Sequence, residues 1–146
     1  NPESLSGIIA LTTGLTIFGP FIAEKVAHNQ GIKNSMILFI IVAGLSIIVF
    51  ALSKSLILAV VFFTLMNISS TIFEVIGASA YNHEFDSRIR ASLGSLNNII
   101  WSIGFAISVF LAGFLVTFLG VIITILISGV LFLLEAAIYL IGLKKD

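Results

Sequence analysis

The sequence predicts an all-α polytopic membrane protein, a bundle of five transmembrane helices. Two observations carry this. Of the 146 residues, 59% are hydrophobic and only 10% are charged, whereas soluble domains carry about 25% charged residues. The charges are also mostly gathered, at 24–33, at Lys54, at 84–90 and at 144–146. Each stretch between these clusters is long enough to cross a bilayer, which takes about 20 predominantly apolar residues.

The first apolar segment covers 5–23 and is expected to end at Glu24-Lys25. Thr12, Thr13 and Thr16, with Gly14 and Gly19, give this helix a surface suited to close packing, and Pro20 is expected to kink its last turn. The second segment, 35–53, lies between Lys33 and Lys54, and its "MILFIIVAGLSIIVFAL" core holds no charge. The third, 55–81, contains Glu74 and gives way to the polar "NHEFDSRIR". From residue 91 to 143 the only charge is Glu135, and one helix over that length would extend about 80 Å, more than twice a bilayer. A break at Leu119-Gly120 divides it into a fourth span, 87–119, and a fifth, 121–143.

In this five-span arrangement the Lys and Arg residues are unequally shared. Lys25, Lys33, Arg88, Arg90, Lys144 and Lys145 fall on one face and Lys54 alone on the other. Cytoplasmic loops are enriched in these residues. The N-terminus of the chain is therefore expected outside and the C-terminus in the cytoplasm. The chain opens with Asn1-Pro2-Glu3, without an initiator Met or a basic leader, and is expected to be a piece of a longer protein. Its formal net charge of +0 argues against a nucleic-acid partner, and the absence of Cys excludes disulfides, thiolate chemistry and Cys-ligated metals.

Two stretches resemble a known family. "GPFIAEKVAHNQGIK" is similar to a cytoplasmic loop made of a glycine, an acid and then a glycine with basic residues. "RASLGSLNNIIWSIGFAISVFLAGFLVTFLG" has a basic-small entry at Arg90-Ala91, glycines at Gly94, Gly104 and Gly113, and a closing glycine at Gly120. Together with an outside start, longer cytoplasmic connections after the first and third spans and a tight external turn before the last, these resemble the last five helices, eight to twelve, of a major facilitator superfamily transporter. The resemblance implies two six-helix halves, a substrate path between them and alternating access by rocking of one half against the other. This chain would then supply most of the C-terminal half, with the N-terminal half of the same transporter, a small-molecule substrate and the lipid bilayer as its partners. A bacterial inner membrane is the expected location.

The polar positions inside the spans are the candidates for function. On the third span, Asn67, Ser70, Thr71, Gly77, Ala78 and Tyr81 share a face with Glu74, while Phe62, Leu65, Phe73 and Ile76 lie opposite, on a side suited to lipid or apolar packing. A carboxylate in a span costs about 2.5–3.5 kcal/mol on insertion scales and nearly always faces a bundle interior or a wet cavity. Glu74 lies about 9 Å to the cytoplasmic side of the helix midpoint. Three roles fit it: pairing with Lys25, Lys33 or Arg88, lining the substrate path with Asn67 and Thr71, or binding a coupling proton. Glu135 sits deeper, with Ser128, Leu131, Phe132 and Tyr139 near its face. It suits an interhelical hydrogen bond or a functional carboxylate, and the resemblance places its helix at the periphery.

On the fourth span, Gly94, Asn98, Trp101, Ser102, Phe105 and Ser108 form one stripe. The resemblance makes this a cavity-lining helix, in which Asn98 would hydrogen-bond and Trp101 would stack on a substrate; Asn97 and Asn98 equally suit interhelical hydrogen bonding, worth about 0.6–2 kcal/mol in model systems. Glu24, Lys25, Lys33, Arg88 and Arg90 are expected to form a cytoplasmic charge or gating network. Glu84 and Asp86 are expected to cap the start of the fourth span from a solvated turn. His28 and His83 are expected in loops, with no second ligand at metal-binding spacing. No Ser-His-acid order, paired aspartates or phosphate-binding glycine loop is present, so the sequence points to no enzyme, no metal and no cofactor. The expected function is secondary active transport of a small solute, with a proton as one candidate coupling ion. The rival reading is a non-transporting five-helix scaffold or assembly subunit whose buried acids only organise packing.

Overall fold

The computed structural model describes residues 2–84 and 87–142, with side chains described at 6, 7, 9–80, 89 and 92–142. The described residues are helical apart from short connections and contain no strand. Five helical rods are long and apolar enough to cross a membrane, with candidate spans at Ile9–Gln30, Ile32–Leu52, Leu56–Ala80, Ser92–Leu119 and Val121–Gly142.

The first rod is α1 (Pro2–Leu15) and α2 (Gly19–Gln30), joined by a 3₁₀ turn at Thr16–Phe18. Pro20 has no N–H to offer the Thr16 carbonyl. The Gly19 N–H bonds that oxygen instead, which tightens the turn just where the sequence predicts a kink. The far end differs from the expected boundary. α2 continues through Glu24-Lys25 to Gln30 because "AEKVAHNQ" contains no Gly or Pro, and its Ala, Glu, Lys and Gln propagate a helix well. Gly31 ends it at φ +81°, its N–H bonding the Ala27 carbonyl. The longer connection expected after the first span is therefore a single glycine, and His28 lies in the last turn of α2 instead of in a loop.

α3 (Ile32–Leu52) follows directly and is joined to α4 (Leu56–Glu84) by residues 53–55. α5 (Ser87–Leu119) begins soon after α4 ends, so here too the charged segment is mostly helix, and the His83 backbone belongs to α4. Phe85 and Asp86 lie outside the described residues. The break between α5 and α6 (Val121–Gly142) falls at Gly120, as the length argument requires. Gly120 has φ +82°, and its N–H bonds the Val116 carbonyl at 3.0 Å, so one residue reverses the chain.

α3 is the hub. It packs along α4 on one side and α6 on the other, while the first rod lies against α4. Ile40, Ala43 and Ile47 of α3, Ile72 and Ile76 of α4, Ala23 of α2 and Ala136 of α6 are buried between the rods. At the α3–α6 crossing Gly44 meets Gly129: a Cβ on Gly129 would lie 2.7 Å from Ile48 Cγ1 and 3.1 Å from the Gly44 carbonyl oxygen. Gly19 makes a similar approach to α4, where an added Cβ would lie 2.9 Å from Thr71 Cγ2. Small residues at crossings let backbones approach closely, which is how helices associate where lipid removes the usual hydrophobic drive.

Four of the five buried hydroxyls among the described residues are satisfied locally. Thr12 Oγ1 donates to the Ile9 carbonyl at 2.9 Å, Ser35 Oγ to Gly31 at 2.7 Å, Ser46 Oγ to Val42 at 2.7 Å and Thr124 Oγ1 to Gly120 at 2.9 Å. The exception is Ser69 Oγ, which is buried without a partner among the described residues. α5 stands apart. Its principal neighbour is α6, and none of the most apolar stretch of α5 is buried.

Candidate functional site

The separation of α5 from the hub leaves a cleft of about 930 Å³. One wall comes from α4, with Phe73, Glu74, Gly77 and Ala78; the other comes from α5, with Gly94, Asn97, Asn98, Trp101, Ser102 and Phe105. Met36 of α3 and Tyr139 of α6 close the back. The helical repeat accounts for both walls. On α5, residues 94, 97, 101 and 105, and likewise 94, 98, 102 and 105, recur at three- and four-residue intervals, and on α4 the pairs 73/77 and 74/78 are four apart. Gly77 leaves room at the foot of the α4 wall, with Met36 Cε 3.8 Å from where its Cβ would be.

The Glu74 side chain is exposed to this cleft and makes no hydrogen bond or ion pair with a described residue. The Asn97, Asn98 and Ser102 side chains are exposed on the facing wall, and they too make no hydrogen bond among the described residues. Trp101 is 60% exposed and Phe105 66%. At the back, the Phe73 and Tyr139 rings meet edge-on, with centroids 6.3 Å apart and planes at 86°, a favoured arrangement of two ring quadrupoles. The cleft thus offers one carboxylate, two amides, two hydroxyls and four aromatic rings on a mostly apolar surface. These are groups that hold and orient a solute.

Of the residues singled out in the sequence, Glu74, Asn98, Trp101 and Ser102 come together here. Asn67 and Thr71 do not line the cleft. Asn67 Nδ2 donates to the Phe63 carbonyl at 2.7 Å, Thr71 Oγ1 donates to the Asn67 carbonyl at 3.0 Å, and the Thr71 methyl packs against Gly19. Glu135 lies one turn from Tyr139 on α6, half-buried, outside the cleft and without a hydrogen bond to a described residue. Glu24 and Lys25 are exposed on α2, and Lys33 is exposed on the first turn of α3. No described basic residue pairs with Glu74. The side chains of Tyr81, His83, Glu84, Arg88 and Arg90 lie outside the described residues.

Met36, Phe73 and Tyr139 line the cleft although the sequence does not place them on a substrate path. Phe73 falls on the side of α4 assigned to lipid or apolar packing, and only its adjacency to Glu74 hints otherwise. Tyr139 is a polar-tipped ring one turn from an intramembrane acid, which is the signal available for it. No protein-family model matches the chain, and neither a characterised protein nor a solved structure matches it.

Proposed function

We propose that this chain is most of the C-terminal half of a secondary transporter of the major facilitator type, carrying a small solute by alternating access across a bacterial inner membrane. The observation that carries the reading is the cleft. Polar groups that cost free energy in a bilayer, on α4 and on α5, face one another across it and make no hydrogen bonds within the described residues. A scaffold whose polar residues served packing would bury them, as this chain buries Thr12, Ser46 and Thr124. The order of five spans and the one-residue turn at Gly120 are consistent with helices eight to twelve of that family. In this reading α5, whose apolar length has little cover within the chain, faces the N-terminal half across the path.

Reconstituted alone in liposomes, the chain is expected to insert and to show no saturable solute flux, because it supplies one wall of the path. Saturable flux through the isolated chain would overturn the half-transporter reading. Orientation is tested separately. Single cysteines placed in this cysteine-free sequence at Lys33, Arg88 and Lys145 are expected to react with membrane-impermeant thiol reagents only in opened cells, and one at Lys54 in intact cells. Labelling of position 88 from outside would reject the assigned topology.

A further inference from the structure

We infer that the cleft between α4 and α5 takes organic cations that carry flat apolar groups, with Glu74 as counter-charge and Trp101 as stacking surface. The inference rests on reading this cleft as the solute site and adds the class of solute.

Charge comes first. Glu74 is the one charged side chain among the described cleft residues, and it has no cationic partner among them. In a cleft of mostly apolar lining, where the dielectric is lower than in water, a carboxylate attracts a cation more strongly than it would in water, and it repels an anion by the same factor. The rings act in the same direction. Trp101 and Phe105 on the α5 wall, Phe73 on the α4 wall and Tyr139 at the back line the same cleft as Glu74. The negative face of each ring attracts a cation, tryptophan most strongly. The Asn98 amide oxygen and the Ser102 hydroxyl can accept from the N–H groups of an ammonium. The volume, about 930 Å³, lies in the range of about 300–1,000 Å³ that holds drug-sized molecules.

The test uses a fluorophore already in place, because Trp101 is the only tryptophan of the chain. The whole chain, in liposomes of zwitterionic phosphatidylcholine, is titrated with tetraphenylphosphonium and, separately, with tetraphenylborate, which has nearly the same shape and the opposite charge. Tetraphenylphosphonium is expected to change Trp101 emission saturably, and tetraphenylborate is not. Glu74→Gln is expected to weaken the phosphonium response at least about tenfold. Glu74→Asp, which keeps the charge, and Glu135→Gln, which lies outside the cleft, are expected to retain it. Saturable tetraphenylborate binding of equal strength, or an unchanged response in Glu74→Gln of parental helicity, would overturn the inference. If Glu74→Gln loses its helicity, the inference is decided by Glu74→Asp and the borate comparison. A complete transporter that carries only neutral or anionic solutes would refute the cation assignment and leave the transport reading standing; phosphonium binding without transport of any solute would do the reverse.

Discussion

Gly129→Val is expected to lower the stability of the bundle by about 1–3 kcal/mol, the usual cost of overpacking a tight contact. The Ile48 side chain, 2.7 Å from the new Cβ, can turn away, but the Gly44 carbonyl oxygen at 3.1 Å belongs to the backbone of α3. Relief therefore requires α3 and α6 to separate along the contact that joins α6 to the hub. Gly44→Ala is expected to have a smaller effect, since one of its close neighbours, Leu133 Cδ2 at 3.0 Å, ends a flexible side chain, although the Gly129 carbonyl oxygen at 3.1 Å does not yield. Gly104→Ala and Gly113→Ala on α5 meet nothing within 4 Å and are expected to be neutral or slightly stabilising through helix propensity. Thermal melting in detergent followed by circular dichroism ranks the four variants. A parental melting curve for Gly129→Val would show that the α3–α6 crossing is not closely packed.

The largest effect on activity is expected at Glu74. In the complete transporter proposed above, Glu74→Gln is expected to reduce the initial rate of driven transport at least about tenfold, a loss of about 1.4 kcal/mol of stabilisation, whereas Glu135→Gln stays near the parent. The two acids differ in position: Glu74 opens on the cleft, and Glu135 lies outside it. Comparing driven transport with solute exchange divides the remaining roles. A carboxylate that meets a cationic solute is needed in both modes, so both rates fall in Glu74→Gln. A carboxylate that serves only as a proton carrier leaves exchange intact, because glutamine mimics its neutral form. Parental rates in both modes, at matched membrane abundance, would reduce Glu74 to a packing residue.

Hydropathy and glycine placement made most of this fold legible. Helix ends in a bilayer follow from length and from where the backbone can reverse, so Gly120 could be placed from the excess length of 91–143. The end of α2 could not be placed in this way. Glu24-Lys25 marks where the apolar stretch stops, but helical hydrogen bonding does not stop with it, and only Gly31, with its positive φ, ends the helix. The α5 wall was legible because its polar stripe faces one space. The α4 stripe is shared between two neighbours. The first rod, through Gly19, takes the edge carrying Thr71, and the cleft takes the edge carrying Glu74, Gly77 and Ala78. Periodicity identifies a face of α4, and it does not say which neighbour borders each part of that face. The back of the cleft was the least legible, because Met36 and Tyr139 reach it through the packing of α3 and α6.

The local satisfaction of the buried hydroxyls bears on how the chain is made. Thr12, Ser35, Ser46 and Thr124 each bond a carbonyl of their own helix or of the residue just before it. A nascent segment can thus enter the bilayer with these polar groups already satisfied, before any neighbour has arrived. Insertion and association become separable stages, and the second depends on shape. In order of synthesis α6 follows α4 and α5, so the Gly44–Gly129 contact joins the hub to a segment made well after α3. Until translation passes residue 129, α3 carries an unfilled groove at Gly44. This interval ends when α6 docks.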